Sequence, residues 1–254
     1  IVHESDVLLT PYAADQSIDA QALRVFIDAQ YDLAKVDPRA IDTGALILTG
    51  VAVRRSNARA IADLFAAQAG KFVSVSAGDA LEATLAAFGS GAAARSIRET
   101  ARVMNVDIGG GTSKIAVCEG GAEVDMTAID VGARIISFDR VGRITRIEEA
   151  GRCYAAAVGA SLEIGMPVEA GVLDSMAEHM AERLFEAMSS ASPGANTAAL
   201  LRLDAMQNAR APDVVTFSGG VSEYIFDRQN ENFGDLGPRL ARAIKARVSA
   251  WGPR

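Results

Sequence analysis

Three consecutive glycines between two apolar runs constrain this chain more than any other feature. Val103 to Asp107 and Lys114 to Cys118 each read as a short buried strand, with Ile108-Gly109-Gly110-Gly111-Thr112-Ser113 between them. Glycine adopts positive φ without steric cost and lets the backbone come close to a ligand. Successive N–H groups in such a turn form a concave site for an anion, and the Thr112 hydroxyl adds a donor. A carboxylate at the end of the first strand would repel a phosphate unless a cation lay between them. Asp107 is therefore read as a Mg²⁺ ligand and as the group that orients an attacking water, with Thr112 beside it. The other reading of the same residues is a tight β-hairpin without a ligand.

Other phosphate-binding loops fit less well. A P-loop needs Gly-Lys-Ser/Thr leading into a helix, and no such run occurs. The dinucleotide pattern fails because Lys114 stands at the sixth position and a strand follows. Gly89-Ser90-Gly91-Ala92-Ala93-Ala94 matches that pattern by letters but follows a predicted helix. A second glycine signal ends the apolar run Val214-Val215-Thr216-Phe217-Ser218, at Gly219-Gly220-Val221-Ser222. A buried strand that runs into two glycines leaves room for a flat nucleoside against the backbone.

Around these loops the periodicity alternates. A helix is predicted over Ile18 to Ala34, with Leu23, Phe26, Ile27, Tyr31 and Ala34 inward, and Pro38 bars its continuation. A strand from Ala45 to Thr49, a helix from about Ser56 to Gly70, a strand from Lys71 to Ser76 and a helix from Asp79 to before Gly89 follow. This alternation implies an α/β layer with parallel strands. Next comes a predicted meander: Val103–Asp107, Lys114–Cys118, Glu123–Ala128, Arg134–Phe138 and Arg143–Ile147, with Gly120-Gly121 as a hairpin turn. Helices are expected over Gly171–Met188, Thr197–Asn208 and Leu236–Ser249, with a strand over Asp213–Ser218. A domain boundary is placed near residue 100, giving units 1–100 and 101–254.

Composition excludes several functions. A net charge of −7 argues against a nucleic-acid scaffold. No run approaches the ~20 apolar residues of a membrane span. Arg239, Arg242, Lys245 and Arg247 are read as the wet face of a helix whose dry face carries Leu236, Leu240, Ile244 and Val248. The two cysteines, Cys118 and Cys153, form no metal-binding pair and are read as buried reduced thiols of a cytoplasmic protein. Of the two histidines, His3 is near the terminus and His179 is expected at a helix surface, so a hydrolytic triad lacks its base.

Together the two glycine loops resemble the phosphate-2 and adenosine motifs of the actin, sugar-kinase and heat-shock-chaperone superfamily. That resemblance implies an actin-like, ribonuclease H-like ATPase fold with two subdomains. Asp107, Gly109, Gly110, Gly111 and Thr112 would be phosphate and Mg²⁺ residues, and Gly219, Gly220 and Ser222 would border the nucleoside. Gly132, in Ile129-Asp130-Val131-Gly132, resembles a further glycine turn near the phosphates. A closer resemblance covers nearly the whole chain. Ile41 to Gly50, Asn57-Ala58, Ala77-Gly78, Leu81-Glu82, Gly89 to Ala92, Asn105 to Ala116 and Phe217 to Tyr224 are similar to the ethanolamine ammonia-lyase reactivating factors, the EutA family. The resemblance implies a chaperone-like role: ATP- and Mg²⁺-dependent release of damaged cobalamin from that lyase. The implied partners are the lyase and a nucleotide, with homo-oligomerisation and association with a bacterial microcompartment left open. Metabolite kinases, nucleotide-switched scaffolds or filaments and diol-dehydratase-type reactivases remain rival readings.

The chain departs from the family pattern at Val51, where a Glu is expected, at Ala133, where a Gly is expected, and at Ser113-Lys114, where Thr-Asn is expected. Lys114 adds a positive charge near the phosphate loop. The superfamily's first phosphate loop, an Asp-x-Gly turn after a strand, has no counterpart: Asp42-Thr43-Gly44 follows Pro38 and Arg39 instead. The chain also opens on Ile1, so a fragment is expected, without the N-terminal phosphate loop and without C-terminal sequence.

Overall fold

A computed structural model describes residues 1–6, 8, 10–13, 17–48, 72–76, 78–207 and 210–251. The chain divides into two compact units, Ile1–Gly78 and Asp79–Arg254. Val51 and the helix expected from about Ser56 to Gly70 lie outside the described residues.

In the first unit, helix α1 (Ala20–Ala34) begins two residues later than the periodicity suggests. Asp19 explains the delay: its carboxylate accepts from the N–H groups of Gln21 and Ala22, which makes it the cap. Lys35 ends the helix in the left-handed conformation. Ile18 is buried against Tyr12, Ala20, Leu23 and Ile27. A short 3₁₀ turn, Pro38–Ala40, precedes strand β1 (Gly44–Leu48), which pairs in parallel with β2 (Phe72–Ser76). Asp42-Thr43-Gly44 thus leads into a strand rather than out of one.

The second unit is a layered α/β structure. Helices α2 (Asp79–Gly89) and α3 (Ala92–Arg98) precede β3 (Val103–Ile108), β4 (Ser113–Glu119) and β5 (Ala122–Ile129). These three strands form an antiparallel meander, and β8 (Val214–Ser218) joins β3 in parallel, giving the order β5-β4-β3-β8. One sheet face is lined by Met104, Val106, Ile108, Ile115 and Val117. It packs on helix α5 (Ala170–Ser189), through Met176, Met180 and Leu184, and on α8 (Gly237–Trp251), through Leu240 and Ile244. The methionines of α5 are core filler. On the opposite face Ala83, Ala87 and Ala93 meet Ala116 and Cys118. These small side chains let α2 and α3 lie close to the strands.

Four expectations are corrected. The meander stops at β5: β6 (Ile136–Phe138) and β7 (Ile144–Ile147) pair with each other as a separate two-stranded ribbon. A helix absent from the sequence reading, α4 (Glu149–Ala157), follows them. Its Gly151 is a packing glycine, because any β-carbon there would strike the Ile135 carbonyl. The helix expected over Thr197–Asn208 is only the single turn α6 (Ala195–Ala198). Beyond it the Leu200 carbonyl accepts from Asp130 N–H, at 2.9 Å, and the Arg202 N–H donates to the Ala128 carbonyl, at 2.7 Å. Tertiary pairing with the end of β5 therefore overrides helical propensity. Lastly, Cys118 is buried but Cys153 is exposed, and both are free thiols.

The wet-face reading of α8 holds. Arg239 and Arg242 pair with Asp174, Lys245 with Asp227 and Arg247 with Glu178, while Leu236, Leu240 and Ile244 are buried. Among the described residues no helix is long and apolar enough to cross a membrane.

Candidate glycine-loop site

The glycine run closes the β3–β4 hairpin. Register pairs Ile108 with Ser113 and Asp107 with Lys114, so the turn is short and its tip, Gly110, is exposed. The Gly109 N–H donates to the Thr112 carbonyl, at 3.1 Å. The N–H groups of Gly110, Gly111 and Thr112 have no intramolecular partner among the described residues. Three adjacent unpaired donors at this turn make it the candidate for the concave anion site that the sequence suggests.

Two more segments hold the turn. The carbonyls of Gly109 and Gly110 accept from Ala133 N–H, at 3.0 Å, and Arg134 N–H, at 2.5 Å. Such contact needs Gly132, where a β-carbon would lie 2.5 Å from the Gly110 carbonyl oxygen and 2.6 Å from the Gly111 carbonyl carbon. The Ser113 hydroxyl ties the same segment by donating to Val131 O at 2.7 Å. Gly219, at φ +80°, sits against the other side of the hairpin base, where a β-carbon would lie 2.5 Å from the Ile108 carbonyl oxygen. Gly220 opens helix α7 (Gly220–Ile225) with open space above its Cα. Ser222 is buried, and its hydroxyl donates to Gly219 O at 2.7 Å, so it closes its own turn.

Asp107 is half-buried at the end of β3. Its Oδ1 accepts from the Ser218 hydroxyl at 2.9 Å; Ser218 Oγ accepts from Asn105 Nδ2 at 3.0 Å; and Asn105 Oδ1 accepts from Thr216 at 2.9 Å. This polar ladder across β3 and β8 fixes the carboxylate and leaves Oδ2 without a partner among the described residues. A carboxylate held through one oxygen and open at the other suits a hydrated Mg²⁺.

Thr112 is 2% exposed, and its Oγ1 accepts from Lys114 Nζ at 2.5 Å. Lys114 is itself buried and forms an ion pair with Glu82 of α2. The extra cation thus serves an internal pair behind the loop. Ala133 is buried and uses its N–H to hold Gly109.

Arg134 is a site residue the sequence reading missed. A β-carbon on Gly110 would meet its side chain at 3.6 Å, so the guanidinium stem flanks the tip of the turn. Arg134 pairs with Asp235 at 3.4 Å. Burial pushes the Asp235 carboxyl above its ordinary pKa, against the opposing pull of the Gly237 N–H and Arg134. The polar ladder was also missed, although Asn105 and Asp107, two apart in an apolar strand, carry a readable signal.

Thus Asp107, Gly109, Gly110, Gly111, Thr112 and Gly132 converge at one end of the sheet, with Gly219 against the hairpin base and Gly220 and Ser222 continuing into α7. These features define an α/β protein with a mixed sheet and a glycine hairpin whose tip carries unpaired N–H groups. The sequence profile described as "Ethanolamine utilisation protein EutA" matches residues 1–250, and the chain belongs to that family. It is 33% identical over 244 residues to the ethanolamine ammonia-lyase reactivase EutA of Salmonella typhimurium strain LT2, covering 95% of this chain and 52% of that protein. It is 31% identical over 249 residues to the protein of the same name from Escherichia coli K12, again covering 95% and 52%. The chain spans about half the length of the curated relatives it matches. Among solved structures, an exopolyphosphatase from Cytophaga hutchinsonii aligns at 15% identity and TM-score 0.41, covering 83% of this chain and 55% of that one; the family assignment rests on the sequence match.

Proposed function

We propose that this chain is part of a chaperone-like reactivating factor for adenosylcobalamin-dependent ethanolamine ammonia-lyase. It would be built on an actin-like ATPase fold and use ATP and Mg²⁺. Residues 101–254 would form the subdomain that carries both glycine loops, and residues 1–100 the remainder of the other. The family match supports the role, and the observation that carries the nucleotide reading is the trio of unpartnered N–H groups at Gly110, Gly111 and Thr112.

Bound Mg²⁺-ATP would supply the free energy of hydrolysis. The chain's own part is binding and orientation. The three N–H groups would receive phosphate oxygens, and Arg134 would add positive charge beside Gly110. Asp107, steadied by Ser218, would hold hydrated Mg²⁺ through Oδ2. Gly219 and Gly220 would border the nucleoside, with open space above the Cα of Gly220. Gly132 brings Val131 and Ala133 against the loop and holds its donors in place. In this reading binding energy remodels a partner protein rather than transforming a metabolite, and the work takes place in the cytoplasm or in a bacterial microcompartment that holds the lyase.

The test uses the full-length protein with lyase whose cobalamin has been damaged. Recovery of lyase activity that requires both ATP and Mg²⁺, and that falls at least about tenfold with Asp107→Ala, is expected. Recovery without nucleotide would leave the glycine loop as a structural turn.

A further inference from the structure

The outer edge of the four-stranded sheet is half-covered. At the C-terminal end of β5 the segment Leu200–Arg202 runs antiparallel to it, bridging Leu201 to Ile129. The Arg202 N–H donates to the Ala128 carbonyl, which fixes Ala128 as a residue whose backbone groups point out of the sheet. Two residues back, Met126 points the same way. Past Arg202 the covering segment diverges. The N–H of Ala128 and both backbone groups of Met126 have no partner among the described residues.

Between this bare edge and Leu203–Gln207 lies a groove of about 630 Å³, lined by Glu123, Val124, Asp125, Met126, Asp204 and Gln207 among others. Among the described lining residues every charged side chain is a carboxylate: Glu123, Asp125 and Asp204. Thr84 donates to the Glu123 carboxylate and Gln207 N–H to that of Asp125. Val124 adds an exposed apolar side chain, 50% accessible.

An open edge strand is a template for a further strand, and natural proteins cover or block such edges unless they use them. We propose that this groove is a docking site for an extended, lysine- or arginine-bearing segment of a partner protein, which adds to the sheet beside β5. Backbone bonds to Met126 and Ala128 give the affinity, and the Glu123 and Asp204 carboxylates select cationic side chains. A second copy of this chain is the poorer occupant, because edge-to-edge pairing would set these carboxylates against each other. The proposal does not depend on nucleotide binding, so each can fail alone.

The test uses the 254-residue chain without nucleotide and a fluorescein-labelled heptapeptide of alternating Lys and Val, followed by anisotropy. Binding is expected to weaken at least about tenfold when alternate peptide nitrogens are methylated, and by a similar factor with Asp204→Lys. A Glu/Val heptapeptide should not bind. Amide exchange at Met126 and Ala128 should slow on binding. Equal affinity for the methylated peptide, or unchanged exchange at those two amides, would overturn strand addition. Concentration-dependent protection of the same amides without peptide would assign the edge to a second copy instead.

Discussion

Gly132 packs directly on Gly110: a β-carbon on the first would stand 2.5 Å from the carbonyl oxygen of the second. The atoms in the way are backbone on both sides, so no side-chain rotation relieves the overlap. Gly132→Ala should therefore destabilise the second unit by about 1–3 kcal/mol and shift the amide resonances of Gly110 and Gly111. Gly171→Ala is the control. That glycine lies in α5 with open space around it, and the change should stabilise by up to about 1 kcal/mol. Urea unfolding of both variants checks the pair; an unaltered midpoint for Gly132→Ala would mean that the Val131–Ala133 segment does not brace the hairpin.

Lys114 and Glu82 form a second pairing, with side chains 4% and 9% exposed. Removal of Glu82 strands the Lys114 charge in the interior. Glu82→Leu should cost about 3–5 kcal/mol, and Lys114→Met in the same background should restore most of that loss. The second substitution also releases the Thr112 hydroxyl from its contact with Nζ. Thermal unfolding of the two single variants and the double variant closes the cycle. Strict additivity would show that the pair is not coupled.

The sequence makes the strands of the second unit legible because β3, β4 and β8 are apolar runs bounded by glycine, and local pattern and tertiary role agree there. It misleads at Thr197–Asn208, where polar and alanine residues suit a helix but the backbone of Leu200 and Arg202 finds better partners on β5. At the site, the glycines and Asp107 are legible from their spacing. Arg134 and Asp235 are not: they lie 101 positions apart and meet only because the turn after Gly132 and the start of α8 share one end of the sheet. Lys114 carries a charge that suggests the loop surface, and only the burial of Glu82 on α2 shows why it points the other way.

The two thiols should differ in reactivity. Burial raises the Cys118 pKa, with Glu123 adding to the effect, so little thiolate forms near neutral pH. Cys153 is exposed on α4. An aromatic disulfide reagent should titrate one thiol quickly in the native protein, and the second only in denaturant. Cys153→Ser should remove the fast phase. A fast phase that survives this substitution would mean that the face between α2 and β4 opens readily.

Asp235 supplies the last expectation, in its dependence on pH. Its folded-state pKa is raised above an ordinary value of 3.8, chiefly by burial, although Gly237 N–H and Arg134 both favour the charged form. A raised carboxyl pKa means that the native state holds the proton more tightly than the unfolded chain does. The associated stability is fully present below the unfolded pKa and is lost as pH rises through the folded value. Asn cannot ionise and keeps an oxygen that can accept from Gly237 N–H, as Asp235 Oδ1 does at 2.8 Å. The stability of Asp235→Asn relative to the parent should therefore increase from about pH 4 toward neutrality, as the parent loses its protonation term. Urea midpoints of the two proteins at a series of pH values measure this directly. The opposite slope would mean that attraction to Arg134, at 3.4 Å, outweighs the burial of the carboxylate, and that the pair is a net brace for the guanidinium beside Gly110.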